Sequence, residues 1–158
     1  MKLLISACLL GTPCRYDGKG FVPDRLLPKL SGLELVPVCP EQLGGLPTPR
    51  SPSERRGNQV VSRDGADRTA AFTSGATQVL NTAVREGCRC ALLKERSPSC
   101  GSRFIYDGSF SGRVIPGEGV TAALLRERGI AVFSEEQTDR LLDWIRETDP
   151  NQKEPPRE

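Results

Sequence analysis

Three cysteines stand where an apolar, strand-like run gives way to a loop: Cys8 in SACLLG, Cys39 in PVCPEQLGG and Cys100 in RSPSCG. Gly or Pro follows each within a few residues. Such positions fall on the carboxyl-end rim of a parallel sheet, where open α/β folds bind ligands. Three thiolates meeting on that rim would hold a metal or an iron–sulfur cluster and leave a coordination position open. An open position separates a catalytic centre from a structural one. The chain has no histidine. That removes the commonest general base, the Ser–His–Asp triad and most catalytic zinc sites. Proton transfer falls to Asp, Glu, Ser, Cys, Lys, Arg or Tyr.

Glu41 lies two residues beyond Cys39. A carboxylate beside a cluster is the natural proton carrier in such a chain. A helix-terminal charge or a surface salt bridge would account for it equally well. Ser97 and Ser99 place two hydroxyls beside Cys100; Pro98 stiffens the loop, and Gly101 lets backbone approach a bulky inorganic group. Cys14 follows Cys8 by six positions. The pair could form a disulfide or a two-ligand chelate, or one member could be a buried small residue; Cys8 is the better placed ligand. Cys88 and Cys90 open a strand-like run and should share a face, which points to core packing. Arg15, Tyr16, Asp17 and Arg50 could bind a planar polar substrate by stacking and hydrogen bonds, or be solvated loop residues. Lys94 and Arg96 would help keep neighbouring thiolates ionised.

The elements that must position these groups read as follows. Strands are expected at Lys2–Ala7, Leu33–Val38, Ala91–Lys94 and Ile130–Phe133, the first apolar on both faces and therefore central. Helices are expected at 24–30, capped by Asp24, at 68–86, capped by Asp67 and closed by Gly87, and at 120–128. A last helix starts after Ser134, with Gln137 at the capping-box position. Residues 40–58 read as a long loop, Val60-Val61 as a short strand or hairpin arm with Asp64-Gly65 as its turn, and Phe104–Gly112 as a small hairpin or irregular arm around Asp107-Gly108. Strands alternating with helices give right-handed crossovers. The expected fold is α/β: a single-domain, Rossmann-like three-layer sandwich with a mainly parallel sheet. No GxGxxG follows the first strand, so nothing supports a dinucleotide.

The chain of 158 residues suits one domain, expected over 1–148, with the polar, proline-bearing 149–158 as a disordered tail. Net charge is +2, which gives no global case for nucleic acid or a membrane surface. No apolar stretch approaches a membrane span. The opening MKLLISACLLG resembles a short signal peptide but is interrupted by Ser6 and Cys8, so it reads as a buried strand and the protein as cytoplasmic. Cytosolic cysteines bind metals or catalyse more often than they pair.

Several stretches, in order, resemble the thiouracil desulfidase (TudS-like) family: SACLLGTPCRYDG, CPEQLGGLPTPRSPSE, GADRTAAFTSGA, LLKERSPSCGSRFIYDG, and GEGVTAALLRERGI followed by SEE. They run from Lys2 to Glu136 and match the stand-alone short form. The resemblance implies a 4Fe–4S cluster held by Cys8, Cys39 and Cys100, with one iron not bound by protein and free to take a thiocarbonyl sulfur. It implies Glu41 and a serine of SPSC as catalytic residues, with Ser97 the first choice and Ser99 the alternative. Ser99, Tyr16, Asp17 and Arg50 are then left to the substrate. The implied reaction is non-redox desulfuration of a small thiolated pyrimidine to a uracil-type product and sulfide.

Three other readings compete. A non-enzymatic iron–sulfur or thiol redox sensor needs no substrate pocket. An enzyme acting on thiolated tRNA needs a broad basic face, which the charge balance does not offer. A structural zinc protein would carry no acid-labile sulfide. A monomer is favoured over an oligomer.

Overall fold

The computed structural model describes residues 1–149. The expected tail therefore lies, but for Asp149, outside the described residues. Four strands form one wholly parallel sheet: β1 (Lys2–Ser6), β2 (Glu34–Val38), β5 (Cys90–Leu93) and β8 (Ala131–Ser134). Their order is β2-β1-β5-β8. From β1 the chain passes first to one side, to β2, and later returns to the other, to β5. This reversal makes β1 a topological switch point, where the carboxyl ends of strands open a crevice.

Alternation along the central strands builds the two outer layers. Leu4 of β1 and Ala91 and Leu93 of β5 face α3 (Thr69–Glu86) and α4 (Val120–Glu127), burying against Val79, Ala83, Ala122 and Leu125. Leu3 and Ile5, with Cys90 and Leu92, face α1 (Leu26–Lys29) and α5 (Thr138–Thr148), against Leu26, Leu141 and Ile145. The three-layer sandwich is as expected. Both faces are covered, so β1 and β5 read as continuous apolar runs.

Several expectations need correction. Residues 40–58 are not one loop: Pro40–Leu43 form a short helix, α2, with Pro at its first turn, and Ser53–Arg56 form β3. β3 pairs with β4 (Gln59–Ser62) around Gly57-Asn58. Asp64-Gly65 makes a second reversal, which brings Asp67 back to Val61. The hairpin at Asp107-Gly108 is wider than expected: β6 (Phe104–Tyr106) pairs with β7 (Val114–Pro116). Asp24 does not cap α1, whose N-cap is Arg25. Cys88 and Cys90 are buried as expected but on opposite sides of the sheet. Strand periodicity starts only at Cys90; Cys88 lies in the turn that closes α3, its N–H donating to Ala83 O at 2.8 Å. The capping box of Ser134 and Gln137 is present, on a 3₁₀ turn (Glu135–Gln137) that leads into α5.

Candidate active site

The carboxyl ends of β1, β2 and β5 open into one cavity of about 520 Å³, lined by Cys8, Cys39 and Cys100. Cys8 sits in a 3₁₀ turn (Ala7–Leu10) directly after β1; its carbonyl accepts the N–H of Gly11 and Phe21, which folds the following loop back over it. Cys39 is the N-cap of α2. Helix α2 is seated by two glycines: a Cβ on Gly75 would fall inside the radius of Pro40 O, and one on Gly44 inside that of Ala71 O. Only glycine allows α2 and α3 to touch backbone to backbone. Cys100 ends a tight turn in which Ser97 Oγ accepts the N–H of Ser99 (3.2 Å) and Cys100 (3.1 Å). That turn docks on the start of α4, where Thr121 N–H donates to Ser99 O at 2.8 Å.

All six cysteines are free thiols. Burial pushes Cys100 up to about 12, against the hydrogen bonds of Ser6 and Ser99, which lower it. Contact with Cys14 and burial also raise Cys39 well above the ordinary thiol range. Cys14 itself lines the cavity. Hydrogen bonding to Cys39 lowers its pKa, but its contact with Cys8 and its burial prevail, lifting it to about 11. These are neutral thiols at neutral pH, crowded where ionisation needs a positive group among them. A bound iron–sulfur cluster would supply such a group, and the thiols holding it would give up their protons. Among the described residues no three Cys, Asp or Glu groups come close enough to share a single metal ion. An iron–sulfur core is wider than an ion and holds its thiolates further apart. Soft sulfur donors without any imidazole suit it well.

Glu41 rises from the first turn of α2 into the same cavity. It is a helix-terminal charge in an ion pair, as one of its sequence readings has it, and it shares the cavity with the thiols. Arg50 Nε donates to Glu41 Oε1 at 3.1 Å, while Ser99 Oγ donates to Oε2 at 3.4 Å. Ser99 Oγ also lies 3.0 Å from Ser97 Oγ and 3.6 Å from Cys100 Sγ. Ser97 spends its lone pairs on two backbone N–H groups, so its own proton is left to donate. The hydroxyls therefore line up from Ser97 through Ser99 to the Glu41 carboxylate.

Tyr16 lines the cavity mouth and is 41% exposed. Asp17 is absent from the lining; its Oδ1 accepts the N–H of Lys19 at 3.1 Å and closes a turn. Arg50 lines the cavity, but its guanidinium is turned into protein. Lys94 lines it too and pairs with Glu135 at 3.0 Å.

Sequence reasoning missed Glu95, which is 1% exposed. Its Oε1 accepts the N–H of Ser102, Arg103 and Phe104, and its Oε2 accepts Arg103 Nε. Burial alone would raise its pKa, but these donors and Ser134 outweigh it and hold the carboxyl at about 2. No local signal marks it, because its partners come from the loop beyond Cys100. Glu54 likewise pins the 107–113 connection by accepting the N–H of Gly108 and Phe110.

The sequence profile of the 2-thiouracil desulfurase family matches residues 3–137. The chain belongs to that family. A protein of Bacillus subtilis (strain 168), described as uncharacterized protein YbbK, is 40% identical over 150 residues, covering 89% of this chain and 99% of its own. A solved structure, the 4Fe–4S-dependent thiouracil desulfidase TudS, is 51% identical and superposes with a TM-score of 0.85. That match covers 91% of this chain and 97% of the other. Membership agrees with the resemblance carried by the motifs. Among the described residues no helix is long and apolar enough to cross a membrane.

Proposed function

We propose that this chain desulfurates thiouracil-type pyrimidines without net redox change, using a 4Fe–4S cluster: C=S and water give C=O and hydrogen sulfide. The observation that carries this reading is the meeting of Cys8, Cys39 and Cys100 with Glu41 in a single cavity. Cys8, Cys39 and Cys100 would hold the cluster, and one iron would have no protein ligand. When bound, the cluster supplies a soft Lewis acid for the thiocarbonyl sulfur, which makes the ring carbon more electrophilic.

The chain's own groups handle the proton. Glu41 Oε2 takes a proton from the water that adds to the ring carbon. General-base help of this kind contributes about 10²–10⁴-fold in rate. Ser99, 3.4 Å from that oxygen, connects it to Ser97, 3.0 Å further on. Backbone N–H groups fill the acceptor positions of Ser97, so its proton points to Ser99 and holds the Ser99 hydroxyl toward Glu41. Tyr16 offers an aromatic face at the mouth, on which a pyrimidine can stack.

The test is anaerobic reconstitution with iron and sulfide, followed by incubation with 2- and 4-thiouracil. The expected result is sulfide and uracil in equal amounts, without an added reductant. A fully loaded cluster that releases no sulfide would support a redox sensor instead.

A further inference from the structure

We infer that Arg50 is a positioning residue for the reaction: its guanidinium fixes the Glu41 carboxylate so that one oxygen faces Ser99 and the cavity. The inference builds on the reading of Glu41 as the proton acceptor. Arg50 was expected to bind substrate, but its side chain is only 5% exposed and its donors are committed. Nε donates to Glu41 Oε1 at 3.1 Å; one terminal nitrogen donates to Pro47 O (3.2 Å) and Thr48 Oγ1 (3.0 Å), and the other to Cys14 O (3.0 Å). A guanidinium has five N–H groups, so about one is left for anything else. The backbone N–H of Arg50 is held as well, by Tyr16 O at 2.8 Å.

This one side chain thus ties three segments that the sequence keeps apart: the loop after Cys8, the helix after Cys39, and the 47–50 loop. A planar fork is needed to reach all three, and an ammonium reaches one or two. With Oε1 tethered, the Glu41 carboxylate cannot rotate freely, and Oε2 stays toward Ser99. Holding a base in its reactive orientation acts on turnover rather than on substrate affinity.

The test uses anaerobically reconstituted holoenzyme and 4-thiouracil, comparing wild type with R50Q, R50K, E41Q and R50Q/E41Q. Iron and acid-labile sulfide per chain are measured alongside kcat and KM. The expected result is unchanged cluster content, with kcat for R50Q reduced roughly tenfold or more and KM within about threefold. R50K should fall between R50Q and wild type. Adding R50Q to E41Q should cost little further, because a tether has no effect once its base is gone. A raised KM at unchanged kcat would make Arg50 a substrate contact and overturn the proposal. So would equal losses in the presence and absence of Glu41, or wild-type kinetics for R50Q. Loss of the cluster in both R50Q and R50K would reduce Arg50 to a scaffold residue. Full turnover by E41Q with its cluster intact would sink the underlying reading first, and that outcome is read from E41Q alone.

Discussion

Glu41 and Glu95 are the same residue type on the walls of one cavity, yet their surroundings make them opposites. Glu95 is enclosed by three backbone N–H groups, a guanidinium and a hydroxyl, and its carboxyl is held at about 2. Every one of those donors is fixed, so this carboxylate cannot take a proton near neutral pH. It organises the turn that carries Cys100. Glu41 has one guanidinium on one oxygen and one long hydroxyl contact on the other. It keeps lone-pair capacity facing open space. The contrast teaches that burial and proximity do not make a carboxylate available for proton transfer; unspent acceptor capacity toward the cavity does, and that is what the proposed role of Glu41 requires.

Substitution separates the two corners. Glu41→Gln is expected to lower turnover by about 10²–10⁴-fold. Iron content should not change, and the midpoint of thermal unfolding should fall less than in Glu95→Gln, because the amide oxygen can still accept from Arg50. Near-normal turnover with an intact cluster would erase the distinction. Glu95→Gln is expected to act through the fold. The acidic group has a folded pKa of about 2 against an ordinary 4.5, so its contribution is present above about 4.5 and is lost as pH falls toward 2. That depression corresponds to a contribution on the order of 3 kcal/mol at neutral pH. Denaturant titrations from pH 7 to pH 2 should show the wild type losing stability over that window. The variant should start lower and follow a flatter course. Equal stability of the two proteins at pH 7 would mean that Glu95 is not the anchor described here. Gly75→Ala sharpens the comparison from the other side. The added methyl meets Pro40 O and must push α2, and Glu41 with it, off its seat. Overpacking of this kind costs about 1–3 kcal/mol. Turnover should fall further than stability alone explains, and a silent variant would show that the position of α2 is unimportant.

The cysteines and Glu41 that share the cavity were more legible in the sequence than the groups that support them. Cys8, Cys39 and Cys100 each end an apolar run before Gly or Pro, and strand ends in an alternating α/β chain must share a rim. Glu41 was legible by its closeness to Cys39. Glu95 and the tie between Arg50 and Glu41 were not, for one physical reason: both depend on partners chosen in three dimensions. The chain has 22 lysines and arginines, and nothing local distinguishes the one whose fork will reach Glu41. Helix α2 was hidden because four residues carry too little periodicity to register. Cys88 and Cys90 fall on opposite faces because strand alternation starts only at Cys90 and Cys88 belongs to the turn that closes α3.

The central claim is that Cys8, Cys39 and Cys100 hold one cluster between them. Iron and acid-labile sulfide, counted after anaerobic reconstitution of Cys8→Ala, Cys39→Ala and Cys100→Ala, test it most directly. The account predicts that each variant loses the brown absorbance and most of its iron, while Cys14→Ala keeps both. Full iron and colour in any one of the three would remove that residue from the ligand set and contradict the account.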